Sequence, residues 1–288
     1  MTSPITHVSD TARWVALYRA MESERRDPLF RDPYARRLAG EQGEAILRGM
    51  KQGRRWAWPM IVRTAVMDEI ILRAIERDGV DTVLNLAAGL DTRPYRLALP
   101  KTLRWVDVDL PDILTYKEQQ LAGETASCTV EFAKVDLRDG AARRTLFAGV
   151  AESARRVLVV TEGLLIYLTP AQVADLAKDL AAQPAFHQWL IDIASPLLLQ
   201  WMQRTWGKTA TAGNAAFIFA PTEDTKFFEP YGWREVEYRN TMDEGVRLKR
   251  VPKMMFLWRI LGLFASRARK AQFKRFSGVV LLERREGA

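Results

Sequence analysis

Four segments hold side chains whose types and spacing could do chemistry together: Leu86-Ala-Ala-Gly-Leu-Asp-Thr92, Arg104-Trp-Val-Asp-Val-Asp-Leu-Pro111, Lys134-Val-Asp-Leu-Arg138 and Val160-Thr-Glu-Gly-Leu-Leu-Ile-Tyr-Leu168. In the first, Ala87, Ala88 and Gly89 let a ligand approach the backbone; a tight turn chosen for packing is the alternative. Asp109 follows Gly89 by about 20 residues, the separation at which a carboxylate accepts two ribose hydroxyls, and Asp107 competes for that role. Asp91, Thr92 and Arg93 stand where a G-x-G-x-x-G pattern would have its later glycine, so a pyrophosphate turn is not expected and an adenosine cofactor without phosphate fits better. Asp136 is placed to accept the adenine amino group, with the next backbone amide meeting a ring nitrogen, or else to cap a helix. Glu162 emerges from four apolar residues, where an unpartnered carboxylate is costly, so it is expected to meet a cationic or polar ligand group.

The elements that must position these residues alternate. Val83 to Ala87, Arg104 to Val108, Val130 to Val135, Val157 to Thr161 and Trp189 to Ile193 read as buried strands. Helical spacing occupies Ile61 to Arg77, Pro111 to Leu121, Ala141 to Phe147 and Pro170 to Leu180, with Pro111 and Pro170 where a first helical turn tolerates proline and Asp78-Gly79 as a stop. Strand, helix, strand, helix implies a parallel sheet with right-handed crossovers, whose strand ends gather the four segments at one edge. After a helical stretch from Pro196 to about Trp206 come a strand at Glu235 to Tyr238 and a last strand at Ser277 to Leu282. The whole predicts a seven-stranded, doubly wound, mostly parallel α/β sheet closed by a hairpin-like pair. One domain over 1–288 is expected: a helical cap at 1–59, a core at 60–240 and 276–288, and a lid insertion at 241–275.

Composition bounds the function. With 48% hydrophobic and 27% charged residues the chain can bury a sizeable core. The single cysteine, Cys128, excludes an internal disulfide framework and a cysteine-rich zinc site, no metal is expected, and Cys128 reads as a packed core thiol. The N-terminus lacks signal-peptide character and no run approaches a membrane span, so a cytoplasmic protein is expected. The net charge is +8, but ten of the 43 Lys and Arg lie between Arg247 and Arg275 without one Asp or Glu, leaving the rest of the chain near balance. Confined charge mixed with Met, Phe and Trp argues against nucleic acid. It suits a helical lid over an acceptor pocket, a surface helix, or peripheral contact of 247–275 with an anionic membrane.

The four motifs in this order resemble the leucine carboxyl methyltransferase family, in particular its bacterial S-adenosylmethionine-dependent branch that includes polyketide carboxyl O-methyltransferases. The matching pieces are Ser23 to Tyr34, Arg63-Thr64, Ala88 to Arg93, Asp107 to Pro111, Val135 to Arg138 and Glu162 to Tyr167. The resemblance implies a Rossmann-like class I methyltransferase using S-adenosyl-L-methionine. By it, Asp109 would bind the ribose, Asp136 and Leu137 the adenine, and Arg63 the methionyl carboxylate. Gly89 and Glu162 would flank the methionyl part, with Ala87 and Asp91 among the cofactor-binding loop residues. The family's first loop glycine is Ala87 here.

Methyl transfer to a carboxylate needs alignment and exclusion of water rather than a general base, so no catalytic residue is expected. His187 reads as structural, and His7 lies in a terminus that could fold over the site. An acid substrate would be met by Arg13, Arg19, Arg93 or Arg96, although each reads more readily as a solvated surface arginine or part of a structural ion pair. Tyr167 either caps the acceptor or packs. A small or medium-sized acid is the expected substrate, with a phenolic or hydroxyl acceptor as the alternative and a monomer or homodimer as the assembly. A nucleotide-dependent oxidoreductase, a nucleic-acid methyltransferase and an idle binding module are the rival functions.

Overall fold

Each apolar run becomes a strand of one seven-stranded sheet in the computed structural model, which describes residues 10–50, 53–212, 216–252 and 273–285. The strands are β1 (Thr82–Leu86), β2 (Arg104–Asp109), β3 (Thr129–Lys134), β4 (Val157–Thr161), β5 (Phe186–Ala194), β6 (Trp233–Asn240) and β7 (Ser277–Arg284). Their order is β3-β2-β1-β4-β5-β7-β6, with β7 antiparallel to both neighbours. The order therefore reverses between β1 and β4, and a ligand crevice forms beyond the carboxyl ends of strands at such a reversal. β1 and β4 are buried along their whole length, as expected of central parallel strands covered on both faces.

The alternation of side chains across the sheet builds two cores. Leu84, Leu86, Val106, Val108, Val159, Trp189 and Ile191 pack on one face against Phe147, Val173 and Leu176. Val83, Trp105, Leu158, Val160 and Leu190 pack on the other, against Met67, Ile70 and Ile71. The covering helices are α3 (Ala57–Arg77), α6 (Gly140–Glu152) and α7 (Pro170–Ala181), with α5 (Pro111–Gln120) leading from β2 back to β3. Proline stands in the first turn of α5 and α7. α3 begins four residues before the expected Ile61, because Ala57, Trp58 and Met60 continue its apolar face into the N-terminal region. A short helix α4 (Arg93–Arg96) follows the β1 loop, and the stretch Lys226 to Trp233 is mostly a 3-10 turn, Asp224–Tyr231.

The N-terminal region is helical, as expected. α1 (Asp10–Ser23) and α2 (Ala35–Gly49) pack through Leu17, Tyr18, Leu38 and Ile46 onto Ile61, Leu90 and Ile113, which mounts them over the carboxyl edge of the sheet. A 3-10 turn, Gly53–Trp56, leads into α3. His7 lies outside the described residues, as does 253–272, the part of the expected lid that carries most of its Met, Phe and Trp. The flanks of that segment are tied to the body: Arg247 pairs with Glu69, Arg250 with Glu22, and Arg275 with Asp224 and Glu235. Among the described residues, no helix is long and apolar enough to cross a membrane.

Candidate active site

The carboxyl ends of β1, β2, β4 and β5 and the loop after β3 border one cavity of about 390 Å³, within the roughly 300–1,000 Å³ of small-ligand pockets. Its near wall is the β1 loop. Ala87 has φ 54° and Gly89 φ 50°, both left-handed. At Gly89 an added Cβ would stand 3.0 Å from the Ala12 Cβ on α1, so glycine lets the cap sit on the loop. At Ala87 the methyl group is held in a conformation that costs about 1–2 kcal/mol.

The two acids of β2, alternatives in the sequence, have separate fates. Asp107 is fully buried and receives Lys117 Nζ at 2.7 Å, Trp105 Nε1 at 2.9 Å and Asn85 Nδ2 at 2.9 Å, so it is a core ion pair. Asp109 ends the strand at the cavity. One oxygen accepts the Gly89 N–H and the other the Leu110 N–H, each at 2.7 Å, which fixes the carboxylate while leaving each oxygen capacity for a further donor. Burial pushes its carboxyl above the ordinary range in spite of those two bonds. Asp136 and Leu137 line the cavity after β3. Asp136 is not the helix cap: α6 is capped by Asp139, which accepts from Ala141 and Ala142, while Asp136 is hydrogen-bonded by Arg138, which holds its carboxyl low.

Glu162 was expected to meet a ligand, and it meets two guanidinium groups of its own chain. Its Oε1 accepts from Arg63 Nε at 3.0 Å, and its Oε2 lies 2.8 Å from Arg93 Nη1. Burial alone would raise its carboxyl, but the charges of Arg93 and Arg63 bring it below the ordinary value. Arg63 does reach in from α3 and also donates to Asp192 at 2.9 Å. Asp91 is taken up by Arg93 at 2.6 Å; burial opposes the ionised form, and Arg93, then Lys117, Arg19 and Arg96, hold it well below the carboxylate range.

The arginines considered as free cations for an acid are structural. Arg19 pairs with Asp32 at 2.8 Å and donates to the Leu90 carbonyl, joining α1 to the β1 loop. Arg96 pairs with Asp68, which also takes Arg93. Arg13 lies 3.8 Å over the Tyr116 ring and does not border the cavity. Each was bound because a guanidinium near a buried loop is stabilised by a carboxylate or a ring face. Tyr167, in the 3-10 turn Leu165–Tyr167, borders the cavity with its ring 5.8 Å from Phe217, and burial raises its hydroxyl pKa. His187 is structural at the start of β5, 2.7 Å from the Ala185 carbonyl, and burial pushes the Cys128 thiol up to about 11.

Sequence reasoning missed Asn85, Asp192 and the apolar side chains Trp14, Trp56, Met60, Met202 and Phe217, all of which border the cavity. Asp192 carries a signal close to that of Glu162, an acid following an apolar run, here Trp189-Leu-Ile191, near a strand's carboxyl end. The apolar set comes from four separate segments and has no local signature.

A doubly wound sheet in this order, with acids at the ends of β2 and β4 and just beyond β3, defines a Rossmann-like methyltransferase fold. The structure is similar over 98% of both chains to a DUF574 family protein from Streptomyces avermitilis (TM-score 0.60, 14% identity). A candidate methyltransferase from Thermobifida fusca is similar over 93% of this chain and 94% of its own (TM-score 0.55, 15% identity). In sequence, the chain is 34% identical over 224 residues to a candidate S-adenosyl-L-methionine-dependent methyltransferase of Mycolicibacterium smegmatis, covering 69% of this chain and 74% of that one. It is 32% identical over 238 residues to another from Frankia alni, covering 78% and 82%. The model of the leucine carboxyl methyltransferase family matches residues 12–181, and the chain belongs to that family. It is an S-adenosylmethionine-dependent methyltransferase.

The residues present fit that cofactor. A fixed carboxylate, Asp109, suits a diol; Thr64 Oγ1 and Arg93 Nη2, buried side-chain atoms of cavity-bordering residues, have no hydrogen-bond partner among the described residues. An amino-acid group brings donors and acceptors of the kind such atoms require.

Proposed function

We propose that this enzyme forms a methyl ester on the carboxylate of a small or medium-sized, largely apolar metabolite. Asp109 holds the ribose, Asp136 and Leu137 the adenine, and Arg63 the methionyl carboxylate, with Ala87, Gly89, Asp91 and Glu162 around the methionyl group. When bound, S-adenosylmethionine supplies an electrophilic methyl group on a sulfonium. The protein's part is to align the acceptor oxygen and exclude water, and Trp14, Trp56, Met60, Met202 and Phe217 form the dry side of the cavity that does so.

The observation that carries this reading is the state of the acids beside the apolar side. Glu162 and Asp192 are both engaged by Arg63, so neither is an available base among the described residues. A carboxylate acceptor is already ionised near neutral pH, whereas a phenol requires its proton to be taken. The test is mass spectrometry of a metabolite library incubated with the enzyme and deuteromethyl-labelled S-adenosylmethionine. A labelled methyl ester is expected; label in an ether or an amine would overturn the carboxylate assignment.

A further inference from the structure

Arg63 is only 9% exposed, and two acids hold it, Glu162 just after β4 and Asp192 within β5. Glu162 takes Nε and Asp192 takes Nη1, and neither takes Nη2. Both acids are themselves fixed. Glu162 is held on its other oxygen by Arg93, and Asp192 Oδ1 accepts the Gly163 N–H at 2.6 Å. Gly163 has φ 67°, and a Cβ there would stand 3.3 Å from Arg63 Nη1, so the turn after β4 leaves just the space the guanidinium occupies.

We propose that Asp192, near the carboxyl end of β5, is a positioning residue that fixes Arg63 so that its remaining edge meets the carboxylate of S-adenosylmethionine. This rests on the assignment of Arg63 to that carboxylate in the proposed function. Asparagine cannot replace Asp192 in the role. Both neighbours, the Gly163 N–H and Arg63 Nη1, are donors, and an amide offers them one oxygen and one NH₂. Asp192→Asn therefore keeps the shape but breaks one of the two contacts. Loss of a negative charge beside Arg63 would by itself favour an anion, so a weaker grip on the carboxylate reads orientation rather than charge.

The test is calorimetric titration of the full chain with S-adenosylmethionine and with methylthioadenosine, which has the nucleoside and thioether but no amino-acid group. Asp192→Asn is expected to weaken S-adenosylmethionine about tenfold, as outer-shell substitutions do, and to leave methylthioadenosine unchanged. Gly163→Ala crowds the same guanidinium from the turn and is expected to show the same selective loss, which keeps the proposal testable should Asp192→Asn not fold. Arg63→Met is the reference. If it abolishes the preference for S-adenosylmethionine while Asp192→Asn leaves that affinity unchanged or tighter, the role of Asp192 is overturned and that of Arg63 stands. If Arg63→Met leaves the preference intact, the assignment of Arg63 itself falls. Equal weakening of both ligands by Asp192→Asn would mark Asp192 as merely structural and overturn the proposal.

Discussion

The floor and the roof of the cavity are built on different physics. The floor comes from the ends of β1, β2, β4 and β5, and its charges are joined in a continuous set: Asp192 to Arg63, Arg63 to Glu162, Glu162 to Arg93, and Arg93 to Asp91 and Asp68. The roof comes from α1, the turn before α3 and the first turn of α3, the helix α8 (Pro196–Ala212) and Phe217, and it is dominated by aromatic and thioether side chains; Trp56 meets Trp201, which does not itself border the cavity, at a ring separation of 4.8 Å. A rigid floor of paired charge suits a ligand of one fixed shape, the cofactor. A roof of large apolar side chains suits selection by size and surface.

The largest break in this contrast lies beneath the floor. Lys117 and Asp107 are both fully buried, and Asp107 also orders Asn85 and Trp105. Lys117→Met leaves a buried carboxylate without its cation, and is expected to cost about 3–5 kcal/mol of stability, read as a shift of the urea midpoint. Next comes Asp109→Ala, which removes the fixed carboxylate that the proposed reading gives to the ribose. A loss of about a hundredfold in S-adenosylmethionine affinity by calorimetry is expected, with the fold intact. A near-normal affinity would remove Asp109 from the site.

A smaller effect separates roof from floor. Phe217→Ala takes a 5% exposed ring from the acceptor side without touching a charged group. The KM for an acid that the enzyme esterifies should rise about tenfold while the affinity for cofactor stays unchanged, because the lost contact is apolar area alone. If cofactor affinity falls in step, roof and floor are one binding surface and the division fails.

Proton titration sharpens the contrast within the floor. Glu162 and Asp91 are held below the ordinary carboxylate range by Arg93 against the opposing effect of burial, whereas burial carries Asp109 above it. If Asp109 holds the ribose as proposed, its ionised form accepts the hydroxyl donors best, so on acidification cofactor affinity should fall as the pH drops through that raised value, before the other two acids protonate. For stability the sign is opposite: a raised carboxyl favours the folded chain at low pH, and that contribution is lost as the pH rises through its folded value. Calorimetric titrations across the acid range on the parent chain and Asp109→Asn check this; a variant with the same acid limb as the parent would assign the titration elsewhere.

The division also explains what was legible in the sequence. β1, β2, β4 and β5 were readable because buried parallel strands are rich in Val, Ile and Leu, uninterrupted in β4 and broken by single polar residues in β1 and β2, and floor acids stand out in or just after such runs. Asp107 and Asp109 were inseparable in the sequence, since both follow the same run and only the placement of Lys117 on α5 distinguishes them. Arg19, Arg93 and Arg96 looked available because their partners Asp32, Asp91 and Asp68 come largely from other segments. The roof was unreadable for the same reason in stronger form: Trp14, Trp56, Met202 and Phe217 are brought together only by tertiary packing.

The smallest effect tests whether the floor is tuned for binding or for stability. Ala87 adopts φ 54°, which costs alanine about 1–2 kcal/mol relative to a right-handed conformation. Glycine would relieve that strain but lose about 0.5–1 kcal/mol through the greater freedom of the unfolded chain. Ala87→Gly should therefore raise stability by about 0.5–1 kcal/mol, seen as a higher urea midpoint at constant slope. The methyl group faces no requirement from the neighbouring acids, whose contacts run through Gly89 and Leu110 rather than Ala87. Cofactor affinity should accordingly stay level in the variant. A stability gain accompanied by weaker binding would mean that the strained alanine holds the loop in its binding conformation, and that this part of the floor accepts local strain in exchange for order.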